Sequence, residues 1–153
     1  TKWDYYYKGT NDVKGIKFDD FAKEYQELSE NNKVLLIYPT PELEIDPYKE
    51  VSNILILNKF FKTNVENEID KLGINYSNYY ERSKNTIKMY DQTINKNIIK
   101  IEPSEFICNK KKEQFCNIIF DNSILYEDDN HLSATGSKKT ADLIKKILVK
   151  LGY

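Results

Sequence analysis

Apolar residues recur along this chain with two different periods, and the element changes where the period changes. Phe18, Phe21, Tyr25 and Leu28 stand three and four apart, which predicts an amphipathic helix over 18–30 that Asn31-Asn32 ends. The next six residues, 33–38, are a near-continuous apolar run stopped by Pro39 and Pro41. Such a run predicts a strand buried on both faces, the kind found in parallel sheets covered by helices. The loop Pro39-Thr40-Pro41-Glu42 would then lie at the carboxyl end of that strand, the edge where open α/β sheets bind ligands.

Helical spacing returns at Val51, Ile54, Leu55, Leu57 and Phe60, with Pro47 suited to a first helical turn, so a helix is expected over 47–61. A short helix over 65–72 closed by Gly73 follows. A longer one over about 77–95 carries Tyr76, Tyr79, Tyr80, Ile87, Tyr90 and Ile94. That tyrosine stripe reads as core and rim packing ahead of a ligand cage. Ile98-Ile99-Lys100-Ile101 predicts a second short buried strand ending at Pro103. Residues 117–120 and 123–126 flank Asp121-Asn122 as a hairpin or bent excursion. Ser133 can cap the last helix, where Leu143, Ile144, Ile147, Leu148 and Leu151 oppose Lys145, Lys146 and Lys150. At the other end, residues 3–7 are aromatic enough for a strand or its end, and 9–15 read as a loop. Strands alternating with helices predict a three-layer α/β fold with a parallel sheet.

Composition narrows the partners. The 153 residues are 40% hydrophobic and 13% aromatic, with 12 tyrosines, which fits one folded domain with a real core. The net charge of −1 balances 23 basic against 24 acidic residues, so no nucleic-acid footprint follows and no nucleic-acid partner is expected. Arg82 is the only arginine, which nearly excludes bidentate phosphate clamps. No apolar run approaches the ~20 residues that span a bilayer. Thr1-Lys2-Trp3-Asp4 is neither a signal peptide nor an initiator methionine, so the chain is expected to be cut from something longer.

One stretch carries candidate chemistry. In Tyr126-Glu127-Asp128-Asp129-Asn130-His131-Leu132-Ser133 the protein's single histidine follows Asp128 by three residues. A carboxylate at that distance on a loop can fold back and accept a hydrogen bond from Nδ1, leaving Nε2 free to take a proton from a hydroxyl. The plainer alternative is a solvated acidic turn with a surface histidine. Cys108 and Cys116 bracket a lysine-rich loop, either as a disulfide or as two reduced, unrelated thiols. With no second histidine and no phosphate or dinucleotide glycine pattern, neither a metal nor another cofactor is expected.

The stretch from Tyr126 to Ser133, followed by Gly136, resembles the last conserved block of the SGNH (GDSL-type) hydrolase superfamily. The nearer likeness is to the SGNH domain fused to acyltransferase-3-type membrane proteins that O-acetylate surface sugars. Cys108 and Cys116, Ser123-Ile124-Leu125-Tyr126 and the 34–42 segment resemble parts of that branch. The resemblance implies a flavodoxin-like α/β fold and a Ser-His-Asp triad, with His131 as general base and Asp128 orienting it. It implies an extracytoplasmic, periplasmic-type location, a membrane acyltransferase as tether and a carbohydrate substrate. Gly9-Thr10-Asn11-Asp12 has the form of the block that puts an asparagine, here Asn11, in the oxyanion hole. The family's Gly-Asp-Ser nucleophile block has no counterpart in this chain. The first strands of the sheet and the nucleophile are therefore expected to precede Thr1. Three readings follow: an acyl hydrolase or O-acyltransferase domain, a non-catalytic carbohydrate-binding or accessory module on the same fold, or an unrelated doubly wound domain.

Overall fold

A computed structural model describes residues 18–62, 64–109 and 115–153. The aromatic segment 3–7, the loop 9–15 and Asn11 lie outside the described residues. In chain order the elements are α1 (Phe18–Asn31), β1 (Val34–Ile37), α2 (Pro47–Phe61), α3 (Val65–Asp70), β2 (Gly73–Asn75), α4 (Tyr76–Gln92) and β3 (Ile98–Ile101). A single-turn α5 (Ser104–Ile107) follows, then β4 (Cys108–Asn109), β5 (Phe115–Asn117), β6 (Ile119–Phe120), β7 (Ser123–Ile124) and α6 (Ala134–Lys150). The chain is a mixed α/β protein with a small parallel sheet. It divides into two compact units, Thr1–Thr40 with Asn78–Pro103 and Pro41–Ser77 with Ser104–Tyr153.

The first unit is built on the two predicted apolar runs, which pair in parallel from Val34↔Ile98 to Ile37↔Ile101. Leu36, Ile99 and Ile101 are buried in this unit, as are Tyr79, Ile87 and Met89 of α4. The expectation that β1 is buried on both faces fails: Leu35 and Ile37 remain 40% and 46% exposed. Among the described residues β3 is the only strand beside β1, and an apolar run alone does not reveal how much cover it finds. Beyond β1, the Tyr38 hydroxyl donates to Asp91 Oδ1 at 2.7 Å, and its ring meets Tyr90 edge-on. Burial and the Asp91 carboxylate together push the Tyr38 phenol up, so it stays a donor. The tyrosine stripe of α4 is thus largely packing, as Tyr79, also buried, donates to the Pro39 carbonyl at 3.0 Å. The helix ends at Gln92; the Thr93 N–H and hydroxyl both reach back to the Met89 carbonyl, at 3.1 and 2.8 Å, and Ile94 beyond is exposed.

The second unit holds a sheet that the hydrophobic pattern does not predict. β2, β5 and β4 form an antiparallel sheet in that order, with Ile74 opposite Cys116 and Cys116 opposite Cys108. A disulfide joins the two cysteines across the β4–β5 pair. Gly73 does not close α3, which ends at Asp70; it opens β2. A side chain there would strike the Cys116 carbonyl and the Phe115 ring, so the strand pairing needs a glycine. Leu43, Ile74, Ile107, Cys108, Cys116, Ile118, Leu125 and Tyr126 form this unit's core. The Asp121-Asn122 hairpin is present, with both residues at positive φ as a two-residue turn requires, and Ile119 pairs with Ile124. α2 starts at Pro47 with Asp46 accepting from the Lys49 N–H, and ends at Lys62 in a left-handed cap.

Candidate active site

The Asp128–His131 loop is held at both ends by main-chain pairing. Tyr126 and Leu132 form an antiparallel bridge, and the Glu127 N–H donates to the His131 carbonyl at 2.8 Å. Below it, Leu125 N–H reaches the Ile118 carbonyl at 2.8 Å and Ser133 N–H reaches the Leu125 carbonyl at 2.9 Å. Ser133 fills two roles, donating its hydroxyl to the Ile124 carbonyl at 2.7 Å and accepting the Gly136 N–H at 3.3 Å as the cap of α6. A buried serine so committed is a structural residue and not a nucleophile. The buried Tyr126 hydroxyl donates to the Pro41 carbonyl at 2.7 Å, and Leu43 N–H donates to the Asp129 carbonyl at 2.7 Å. The Pro39-Thr40-Pro41-Glu42 loop and its successor therefore brace the acidic loop through Pro41 and Leu43. The sequence places that loop at a ligand edge but gives no signal for these two hydrogen bonds, since both acceptors are main-chain carbonyls.

Within this frame the two predicted residues meet. Asp128 Oδ2 lies 2.7 Å from His131 Nδ1, while Oδ1 accepts the Asn130 N–H at 2.8 Å and the His131 N–H at 2.7 Å. These contacts, led by the Asn130 N–H and the imidazole, hold the Asp128 carboxyl well below its ordinary 3.8, at about 2. An ionised carboxylate only accepts, so a neutral imidazole beside it carries its proton on Nδ1 and leaves the Nε2 lone pair outward. The His131 side chain is 74% exposed and that of Asp128 47%, so the ring is open to an incoming hydroxyl or acyl group. The arrangement can orient a general base and stabilise an imidazolium. Asp129 and Glu127 are exposed neighbours. Asn11, the expected oxyanion donor, lies outside the described residues. Among the described residues no group of three or more His, Cys, Asp or Glu side chains is placed to hold a metal ion.

The chain is a domain of the general hydrolase and acyltransferase-like type, the class that its family match supports. The chain belongs to the SGNH domain family, described as fused to AT3 domains, whose family model matches residues 1–146. No curated protein and no solved structure matches the chain.

Proposed function

We propose that this domain supplies the His131–Asp128 half of a serine acyl-transfer triad that acts on cell-envelope polysaccharide. The carrying observation is the 2.7 Å contact from Asp128 to His131 Nδ1, with the carboxylate kept ionised and the ring exposed. A serine hydroxyl from a Gly-Asp-Ser block outside these 153 residues would lose its proton to Nε2 and attack an acetyl ester or thioester. The imidazolium, stabilised by Asp128, would then protonate the leaving atom. The acyl-serine would pass its acetyl group to a sugar hydroxyl, or to water, by the same proton path reversed. Fusion to a membrane AT3 domain, the architecture in the family's description, supports an extracytoplasmic site tethered beside the acyl supply.

The test uses a polypeptide extended upstream through a Gly-Asp-Ser block. It is expected to label with a fluorophosphonate and to release acetate from acetylated sugars, and His131→Ala is expected to abolish both. Rapid labelling of the 153-residue chain alone, or full activity in His131→Ala, would overturn the reading. A second reading, a non-catalytic carbohydrate-binding module, is favoured by one observation: no Gly-Asp-Ser occurs in the chain. It stands if no such block is encoded upstream.

A further inference from the structure

The outer face of α2 has a use that the triad does not explain. Val51, Ile54 and Asn58 line its half-buried side, and Val51 packs on the core of the second unit. The first half of the helix is mostly polar outside that stripe, exposing Lys49, Ser52 and Asn53 with one aromatic, Tyr48. The second half is not: Leu55, Ile56, Leu57, Phe60 and Phe61 are all exposed, and Ile56, Leu57, Phe60 and Phe61 share one broad face. Phe60 and Phe61 are 75% and 71% exposed. A helix end that leaves so broad an apolar face exposed marks an interaction surface.

We infer that the C-terminal half of α2 docks on a lipid bilayer surface, with Phe60 and Phe61 entering the headgroup–acyl boundary. Two observations choose lipid as the occupant. Lys59 and Lys62 border the two phenylalanines, placing cations at headgroup depth, where long basic side chains and aromatic rings concentrate. The family's domain is described as fused to AT3 domains, which are membrane domains, so a bilayer is within reach of this face. Glu66 and Glu68 stand on the neighbouring α3, where Glu68 is paired with Lys71 at 2.6 Å. With those acids nearby, apolar insertion supplies most of the attraction and the two lysines add a smaller preference for anionic lipid. Among the described residues no helix is long and apolar enough to cross a membrane, so the contact is a surface one.

The placement has a consequence for the site. α2 begins just after Leu43, whose N–H is tied to the Asp129 carbonyl, and runs about 22 Å from Pro47 to Phe61 at 1.5 Å per residue. Docking by the far end keeps His131 near the end of the helix that is away from the lipid.

Co-sedimentation of the 153-residue chain with vesicles tests this, using phosphatidylcholine alone and an equal mixture with phosphatidylglycerol. The chain is expected to pellet with both, more with the mixture. A Phe60→Ser, Phe61→Ser double variant is expected to lose binding by at least about tenfold while keeping its circular dichroism and melting curve, because both rings are already exposed. A fluorophore at position 60 should be quenched by lipid-borne quenchers and one at position 131 should not. No pelleting by the parent chain, or equal pelleting by the double variant, overturns the inference. So does a dimer that dissociates in the double variant without any vesicle binding, which would assign the face to a second copy.

Discussion

Asp128 holds His131 twice, by the ring and by the main chain. Oδ2 meets Nδ1 at 2.7 Å while Oδ1 accepts the same residue's N–H at 2.7 Å. One carboxylate therefore sets both the position of the backbone that carries the imidazole and the direction in which the imidazole points. Asp128→Asn tests the two roles together. The amide keeps an oxygen acceptor for the loop N–H groups, but it can present an N–H to Nδ1 and favour the wrong tautomer. In the polypeptide that carries the nucleophile, kcat/KM should fall by about a thousand- to ten-thousand-fold. In the 153-residue chain the ¹⁵N shifts of the His131 ring should move proton density from Nδ1 toward Nε2. Unchanged shifts would separate the aspartate from the tautomer.

The carboxylate's ionisation gives a pH prediction with a definite sign. Asp128 ordinarily titrates at 3.8 and here at about 2, first because the Asn130 N–H and the His131 ring and N–H bind its charged form. A group depressed on folding stabilises the folded state fully above its unfolded value and loses that contribution as pH falls through the folded one. The loop should therefore keep its geometry down through pH 4 and open only as pH drops from about 3.8 toward about 2. A carboxyl ¹³C titration of Asp128 measures it. A midpoint in the ordinary aspartate range would mean that the folded-back loop does not persist in solution.

The Asp128–His131 contact was legible because it is local: three residues of separation and a short acidic loop bring the groups together with little help from the rest of the chain. The β1 and β3 runs were legible for the same reason, β1 being four apolar residues and β3 three isoleucines around Lys100, each bounded by turn signals. The β2–β5–β4 sheet was not. β2 is three residues with one buried side chain, Ile74, and β4 is two residues, too short for any alternation to show. Gly73 misled in a similar way, because a glycine after a helix reads as its cap when the tertiary pairing with Asn117 is what requires it. The exposure of Leu35 and Ile37 could not be read either, since an apolar run says that a strand seeks cover and not that it finds it.

The Cys108–Cys116 bond should matter to the histidine loop from a distance. It fixes β4 to β5, and the chain leaving β5 runs through Ile118, whose carbonyl receives the Leu125 N–H at 2.8 Å. Closing so short a loop contributes about 2–3 kcal/mol in the chain-entropy account. Cys108→Ser with Cys116→Ser should lower urea stability by that amount, and by somewhat more if the two buried hydroxyls find no acceptor. Hydrogen exchange at Leu125 and Ser133 should quicken in step. A drop in stability with unchanged protection at those two amides would show that the hairpin and the loop are independent.

Gly136 is the most confined point beneath the site, and two effects oppose each other there. It is a helical position, where alanine is favoured over glycine by about 1 kcal/mol. A methyl group at Gly136, however, would run into the Leu125 carbonyl, and the Leu132 side chain stands close by. That carbonyl cannot retreat freely, because it accepts the Ser133 N–H at 2.9 Å, and Ser133 also caps the helix that Gly136 belongs to. Overpacking against a fixed backbone costs about 1–3 kcal/mol, which exceeds the propensity gain. Gly136→Ala should therefore destabilise the chain in urea unfolding, and relief of the clash should tilt the first turn of α6 away from Leu125. Because Ser133 follows His131 by two residues, that tilt should also appear as altered His131 ring shifts. A stabilised Gly136→Ala variant would mean that α6 packs less closely on the Leu125 strand than this geometry requires.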